Sequence, residues 1–288
     1  MKRARLVAAV CTAAALTVAG CGTGPAAKSA ASSGPLHAKL PKSVQDAGEL
    51  KIGGSTNVAP YLYRDGAEVS GFEKDLMDAL GTALGVKVQF FDTGFAALVP
   101  GLQSGKLDVA MGDFTDTLER QRVVTYVDYT TSYQTLFTQK GNPKRLASPD
   151  DLCGTTVSAA VGSLSATVSE QQNVKCRKSG RPGVTVLGMD TSTAAMMQVL
   201  TKRADALVTD LVIARHAAEN NGKGDVAGEP FYRQFHGAAV DKDNVRLREA
   251  LVAAFEELIR NGTYDRILKD WGMQKMAMPA PRVNAATS

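Results

Sequence analysis

Between residues 50 and 271, short apolar runs take turns with amphipathic helical stretches, and this alternation leaves few folds open to the chain. Residues 50–52, 86–91, 107–111, 134–138, 155–159, 184–187, 205–208 and 236–240 read as strands. Helical patterns cover residues 73–84, 95–103, 193–202, 211–219, 244–261 and 264–271. In the first of these, Leu76, Leu80 and Leu84 recur at i, i+4 and i+8, which puts them on one helix face. Strands this short and apolar belong inside mostly parallel sheets covered by helices, an α/β fold. The breaker Lys140-Gly141-Asn142-Pro143 interrupts the alternation as a crossover between two lobes does.

The strand at 107–111 runs through Gly112 into a polar turn and then a helix, which Thr115, Asp116 or Thr117 can cap. A helix N-terminus at the carboxyl end of a strand offers unpaired N–H groups, and Arg120, about one turn in, adds a bidentate donor for a carboxylate. Asp113, Thr115 and Arg120 are thereby placed to hold a small zwitterion. The competing use of Arg120 is a surface pair with Glu119 or Asp116.

Lys2, Arg3 and Arg5 precede an apolar run at 6–18 and then Val18-Ala19-Gly20-Cys21, so residues 1–20 read as a lipoprotein signal peptide. Cleavage leaves Cys21 as the lipidated first residue, and residues 21–48, rich in Ala, Gly, Ser, Thr and Pro, read as a flexible tether. The protein is therefore expected outside the cell membrane, touching it only through the lipid on Cys21. Loss of Lys2, Arg3 and Arg5 lowers the formal charge of +4 by three, to about +1, and no basic run remains to bind nucleic acid. Cys11 leaves with the signal and Cys21 is taken by lipid. That leaves Cys153 and Cys176 as the pair for a disulfide in an oxidising compartment.

Enzyme and metal chemistry find no motif. His37, His216 and His236 lack metal-ligand spacing, and no H-E-x-x-H, G-x-S-x-G or G-x-x-x-x-G-K-S/T occurs. Glu73 and Asp75, two residues apart, point to different helix faces and read as solvated charges. No catalytic residue, cofactor or metal is expected.

Several ordered motifs are distinctive: Gly71-Phe72-Glu73-Lys74-Asp75-Leu76, the run Leu98-Val99-Pro100-Gly101-Leu102-Gln103-Ser104-Gly105-Lys106-Leu107-Asp108, Thr117-Leu118-Glu119-Arg120, Asp128-Tyr129, Cys153-Gly154-Thr155-Thr156-Val157 and Gly262-Thr263-Tyr264. With them the chain, from about residue 49 to 272, resembles family 3 of the bacterial extracellular solute-binding proteins, the polar-amino-acid receptors of ATP-driven importers. The resemblance implies the two-lobed periplasmic-binding-protein-like fold of type II, with mixed, mostly parallel sheets and two hinge crossovers. Lobe 1 would comprise 49–139 and 237–275, lobe 2 would be 140–236, and 276–288 would be a disordered tail.

The resemblance further implies a monomer that clamps an amino acid or derivative between its lobes and passes it to an ABC permease. Arg120 stands where the family grips the α-carboxylate and Asp210 where it holds the α-ammonium, although Asp210 also suits the cap of the helix at 211–219. Thr115 and Phe95 fall at ligand-touching positions, with a helix cap and a core aromatic as their plainer uses. Asp113 replaces a small hydroxyl or Gly and hints at a ligand with more than one amino group. Ser55 and Val58 replace the family's acid and aromatic, and Ser163 with Leu164 replaces a G-T-T-type turn. The same fold would also allow an extracytoplasmic dehydratase or a ligand-sensing module.

Overall fold

The computed structural model describes residues 34–287, so the signal peptide, Cys21 and the first part of the expected tether lie outside the described residues. The remainder of that tether is ordered: Lys42–Ala47 forms a helix (α1), and Leu40 and Val44 bury against the core. There follow β1 (Glu49–Gly54), a small antiparallel ribbon of β2 (Asn57–Val58), β3 (Leu62–Asp65) and β4 (Glu68–Ser70), then α2 (Phe72–Leu84), β5 (Lys87–Asp92), α3 (Leu98–Gln103) and β6 (Val109–Ala110). The long β7 (Val124–Gln139) leads into a second series: β8 (Thr156–Ala160), α4 (Leu164–Lys178), β9 (Thr185–Met189), α5 (Ser192–Leu200), β10 (Ala206–Asp210) and α6 (Leu211–Asn221). The slightly longer β11 (Gly224–Asp241) returns the chain, and α7 (Val245–Arg260), α8 (Thr263–Asp270) and β12 (Ala277–Val283) complete it.

The two halves are two α/β lobes. One has parallel strands in the order β5-β1-β6, the other in the order β10-β8-β9, and the antiparallel pair β7 and β11 runs through both. The β7–β11 ladder is regular near its ends but shifts register between Ala227 and Phe231, between Phe231 and Arg233, and between His236 and Gly237. Bulges at that point loosen and twist the two-strand connection where it passes from one lobe to the other.

The apolar periodicity becomes packing in both lobes. Leu76, Leu80 and Leu84 of α2 are fully buried with Leu50, Ile52, Leu251 and Phe255, each such side chain contributing roughly 1.5–3 kcal/mol. In the other lobe Val157, Val168, Val184, Ala206 and Val208 form the core beneath α4. There a disulfide joins Cys153 to Cys176, Cα atoms 5.6 Å apart, and ties the chain just before β8 to the last turn of α4.

The tail corrects the expectation of disorder. β12 pairs with β7, and beyond it Asn284, Ala285 and Ala286 bond to Tyr126, Asp128 and Asp116. Buried acceptors on the first lobe hold the tail in place.

Candidate functional site

The loop after β6 carries the first part of the site. Gly112 has φ of +115°, and a Cβ there would press on Leu62 and on the backbone N of Ser55, so the sharp turn needs glycine. Asp113 follows in the left-handed region at φ +53°, which carboxamide and carboxylate side chains tolerate best after glycine. The helix expected after this turn does not form. Thr115 bridges to His236, and Asp116 donates its N–H to the Phe235 carbonyl at 2.9 Å, so the loop spends its backbone groups on β11. Only one 3-10 turn, Arg120–Arg122, remains, and the site has no helix dipole from this segment.

Arg120 lies between Phe95 and Phe114, its guanidinium carbon 5.1 and 4.7 Å from the ring centres. One terminal nitrogen donates to the Thr115 carbonyl at 2.6 Å. The other reaches across to the Gly162 carbonyl of the second lobe at 2.8 Å. Asn57 makes a second crossing: its side-chain oxygen accepts from Ser192 N at 3.2 Å, and its carbonyl from Thr193 Oγ1 at 3.1 Å. The mouth of the cleft is bonded shut at both sides.

Asp210 ends β10 and caps α6, its Oδ1 accepting from Val212 N at 2.7 Å and Ile213 N at 3.4 Å. Tyr61 donates to the same oxygen at 3.2 Å, and Gln234 donates to Oδ2 at 2.5 Å. Gln234 accepts from Gln134, which accepts from Ser165, so a buried chain of amides runs through the two connecting strands to Asp210. Satisfied networks of this kind fix orientation because each member would be costly to leave unpaired.

The floor of the cleft is acidic. Glu73 is fully buried, contrary to its reading as a solvated charge, and its Oε1 accepts the Asp113 N–H at 3.1 Å. Burial pushes its pKa from 4.5 up to about 7. Burial raises Asp113 as well, helped by the nearby Asp210 and Glu73 and opposed by Arg120. His236 is fully buried against Tyr61, and its burial holds the imidazole below its ordinary pKa while Asp210 pulls the other way. Its Nε2 stands 3.2 Å from Asp113 Oδ1 and 3.8 Å from Asp210 Oδ2. These three side chains, remote in sequence, bring their ligand atoms within 4.8 Å of one another.

The residues that enclose the cleft come from both lobes, and the space left is small, about 30 Å³, room for roughly two water molecules. The lobes are closed on each other.

The family model for bacterial extracellular solute-binding proteins, family 3, matches residues 50–274, most of the chain. The chain belongs to this family. An arginine-binding protein of Corynebacterium glutamicum, ArgT, is 27% identical over 256 residues, covering 86% of this chain and 82% of that one. The glutamine-binding protein GlnH of Bacillus subtilis is 30% identical, covering 71% and 73%. Among solved structures, an ancestral amino acid-binding protein that is a precursor of cyclohexadienyl dehydratase is 28% identical with a TM-score of 0.70, covering 80% of this chain and 97% of that one.

Within this family 3 chain, seven of the nine residues expected at the ligand line the cleft: Val58, Phe95, Asp113, Thr115, Ser163, Leu164 and Asp210. Ser55 is buried behind them and accepts from the Asn57 side chain. Arg120 is not among the lining residues; it spans the mouth from Thr115 to Gly162. Sequence reasoning missed Asn57, Gln134, Thr191, Ser192 and the buried Glu73 and His236. Glu73 had a legible signal, since it lies three residues before Leu76 on the apolar stripe of α2. His236 had none, because its partners arrive from β10 and from the loop after β6. Among the described residues no helix is long and apolar enough to cross a membrane.

Proposed function

We propose that this chain is the substrate-binding component of an ABC importer, captures an amino acid by closure of its two lobes, and hands it over without chemical change. The supporting observation is the closed cleft itself: a cavity of about 30 Å³ cannot admit an amino acid, so the Arg120–Gly162 and Asn57–Ser192 bonds must part to let it in. In this reading Arg120 turns from the Gly162 carbonyl to the ligand α-carboxylate, for which its fork is suited. Thr115 and Ser163 add donors, Val58, Phe95 and Leu164 pack on the ligand side chain, and Ser55 holds Asn57 in place. Asp210, already oriented by Gln234 and Tyr61, takes the α-ammonium. Amino-acid binding by the relatives supports the ligand class. Lobe 1 is taken as 49–139 with 237–275 and lobe 2 as 140–236, with the boundaries at the end of β7 and inside β11. Export, a lipid on Cys21, a monomeric state and contact with a permease through both lobes complete the proposal.

Thermal unfolding of the purified chain against amino acids, opines, small peptides and polyamines tests it. An amino acid that binds the folded state raises the midpoint, by about 2.7 kcal/mol of stabilisation at a hundredfold excess over its dissociation constant. The shift should vanish in Arg120→Ala and Asp210→Ala, and mass spectrometry should recover the ligand unaltered. A panel in which no amino acid moves the midpoint, or one converted to product, would sink the reading.

A further inference from the structure

The acidic floor contains more negative charge than an ordinary zwitterion site requires. One carboxylate suffices for one ammonium, yet Asp113 and Asp210 both reach the same point, and Glu73 lies immediately behind. Arg120, the cation of the site, is turned away toward Thr115 and Gly162. Like carboxylates this close and this buried are not both ionised without a cation between them. An independent observation marks the same point: His236 is fully buried, and neither of its ring nitrogens makes a hydrogen bond, although Nε2 is aimed between the two carboxylates. A buried imidazole left without a partner is costly, and Asp113 Oδ1 beside it is also without a hydrogen bond.

We propose that Asp113, Asp210 and His236 form a single three-acceptor subsite for a primary ammonium of the ligand, and that a proton leaves the cluster for solvent as the ammonium enters. Asp113 Oδ1, Asp210 Oδ2 and His236 Nε2 each take one of the three N–H bonds. A tetrahedral ammonium donating along bonds of ~2.9 Å needs its acceptors about 4.7 Å apart. The three atoms stand within 4.8 Å of one another, the imidazole 3.2 and 3.8 Å from the carboxylates, so seating the group draws the imidazole back by about 1–1.5 Å as the lobes close on the ligand. No bond is made or broken in the ligand. The proton on the Asp113 carboxyl goes to water and the positive charge of the ammonium replaces it. The groups that face this point are Asp113 and Arg120 from the loop after β6, Glu73 from α2, Tyr61 beside β3, Tyr129 from β7, Asp210 from β10 and His236 from β11. Of these, Asp113 and His236 are the additions to a single-carboxylate site and the source of its selectivity. A secondary or quaternary nitrogen lacks the three N–H bonds and leaves an acceptor unpaired.

This inference rests on the reading of the cleft as an amino-acid site. It is tested by calorimetric titration of the purified chain with L-arginine and L-glutamine, their Nα-methyl derivatives, glycine betaine, and zinc chloride alone. Titrations run from pH 5.5 to 8 in buffers of differing ionisation enthalpy. The expected result is uptake of about one proton by the buffer per ligand bound, and an affinity that rises up to about tenfold per pH unit while the cluster is protonated. Nα-methylation should cost tenfold or more. In Asp113→Asn, whose side chain tolerates the same backbone, proton release should be lost and affinity should fall at least tenfold. Binding of an unmethylated amino acid with no proton release and no loss in Asp113→Asn would overturn the subsite and leave the transport reading standing. Tight binding of zinc that excludes amino acids would overturn the subsite as an ammonium site. Binding of none of the amino acids would overturn both readings.

Discussion

A buried carboxyl on α2 makes the stability of this chain depend on pH. Glu73 has a pKa of about 7 against 4.5 for an exposed glutamate, because burial disfavours its charged form. The folded state therefore keeps this proton longer than the unfolded state, and stability falls as pH rises from about 4.5 to 7. The full loss, about 2.5 pH units at ~1.36 kcal/mol each, is roughly 3 kcal/mol. Glu73→Gln, which keeps the acceptor for Asp113 N, should match the natural chain in urea unfolding near pH 4.5 and exceed it by up to about 3 kcal/mol at pH 8. His236 acts with the opposite sign, since a depressed imidazole pKa removes stability as pH falls below its ordinary 6.5. It is common to both proteins and cancels in the difference. Asp210 separates two roles in one side chain. Asp210→Asn keeps an oxygen for the α6 cap and should lose at least tenfold in amino-acid affinity with little change in melting temperature. Asp210→Ala should lose the affinity and about 1 kcal/mol of stability besides.

Among the elements, β12 and the residues after it are the ones whose consequence was least legible. Residues 276–288 read as a disordered tail, but Asp116 and Asp128 are buried carboxyl groups whose oxygens need donors, and the backbone N–H groups of Ala286 and Ala285 supply them at 2.9 and 2.8 Å. Gln121 donates to Asp116 and to the Ala286 carbonyl, so the same strap braces the loop that carries Thr115 and Arg120. A chain ending at residue 276 should lose at least about 2 kcal/mol by differential scanning calorimetry, from several net hydrogen bonds of ~1 kcal/mol each. It should also bind amino acids more weakly, because Arg120 loses its support. Retained affinity in a folded truncation would show that the strap serves stability alone. The missing helix after Gly112 follows from the same competition: Thr115 and Asp116 are good caps, but pairing with β11 offered their backbone groups a partner that no local pattern announces.

At the scale of the whole molecule, the closed state is held by bonds between side chains and backbone across the cleft, chiefly Arg120 to Gly162 and Asn57 to Ser192 and Thr193. Asn57→Ala removes the acceptor for Ser192 N, leaves the Asn57 carbonyl to Thr193, and should cost the closed form about 1 kcal/mol. That moves the closed-to-open ratio roughly fivefold toward open, visible as a larger radius of gyration in solution scattering before ligand is added and as weaker amino-acid binding. An unchanged scattering profile would mean that these bonds do not set the equilibrium. The sequence alone was enough for the α/β class and the two series of strands and helices, because periodicity and strand-end turns are local properties written every two to four residues, and for the pairing of Cys153 with Cys176, the cysteines that remain once Cys11 and Cys21 are assigned. Tertiary structure decided the rest. The meeting of Asp113, Asp210 and His236, the amide chain through Gln134 and Gln234, the burial of Glu73 and the anchoring of the tail all depend on groups more than twenty residues apart, brought together by strands that cross from lobe to lobe. Their energies come from desolvation and from pairing at a distance along the chain, which no local pattern encodes.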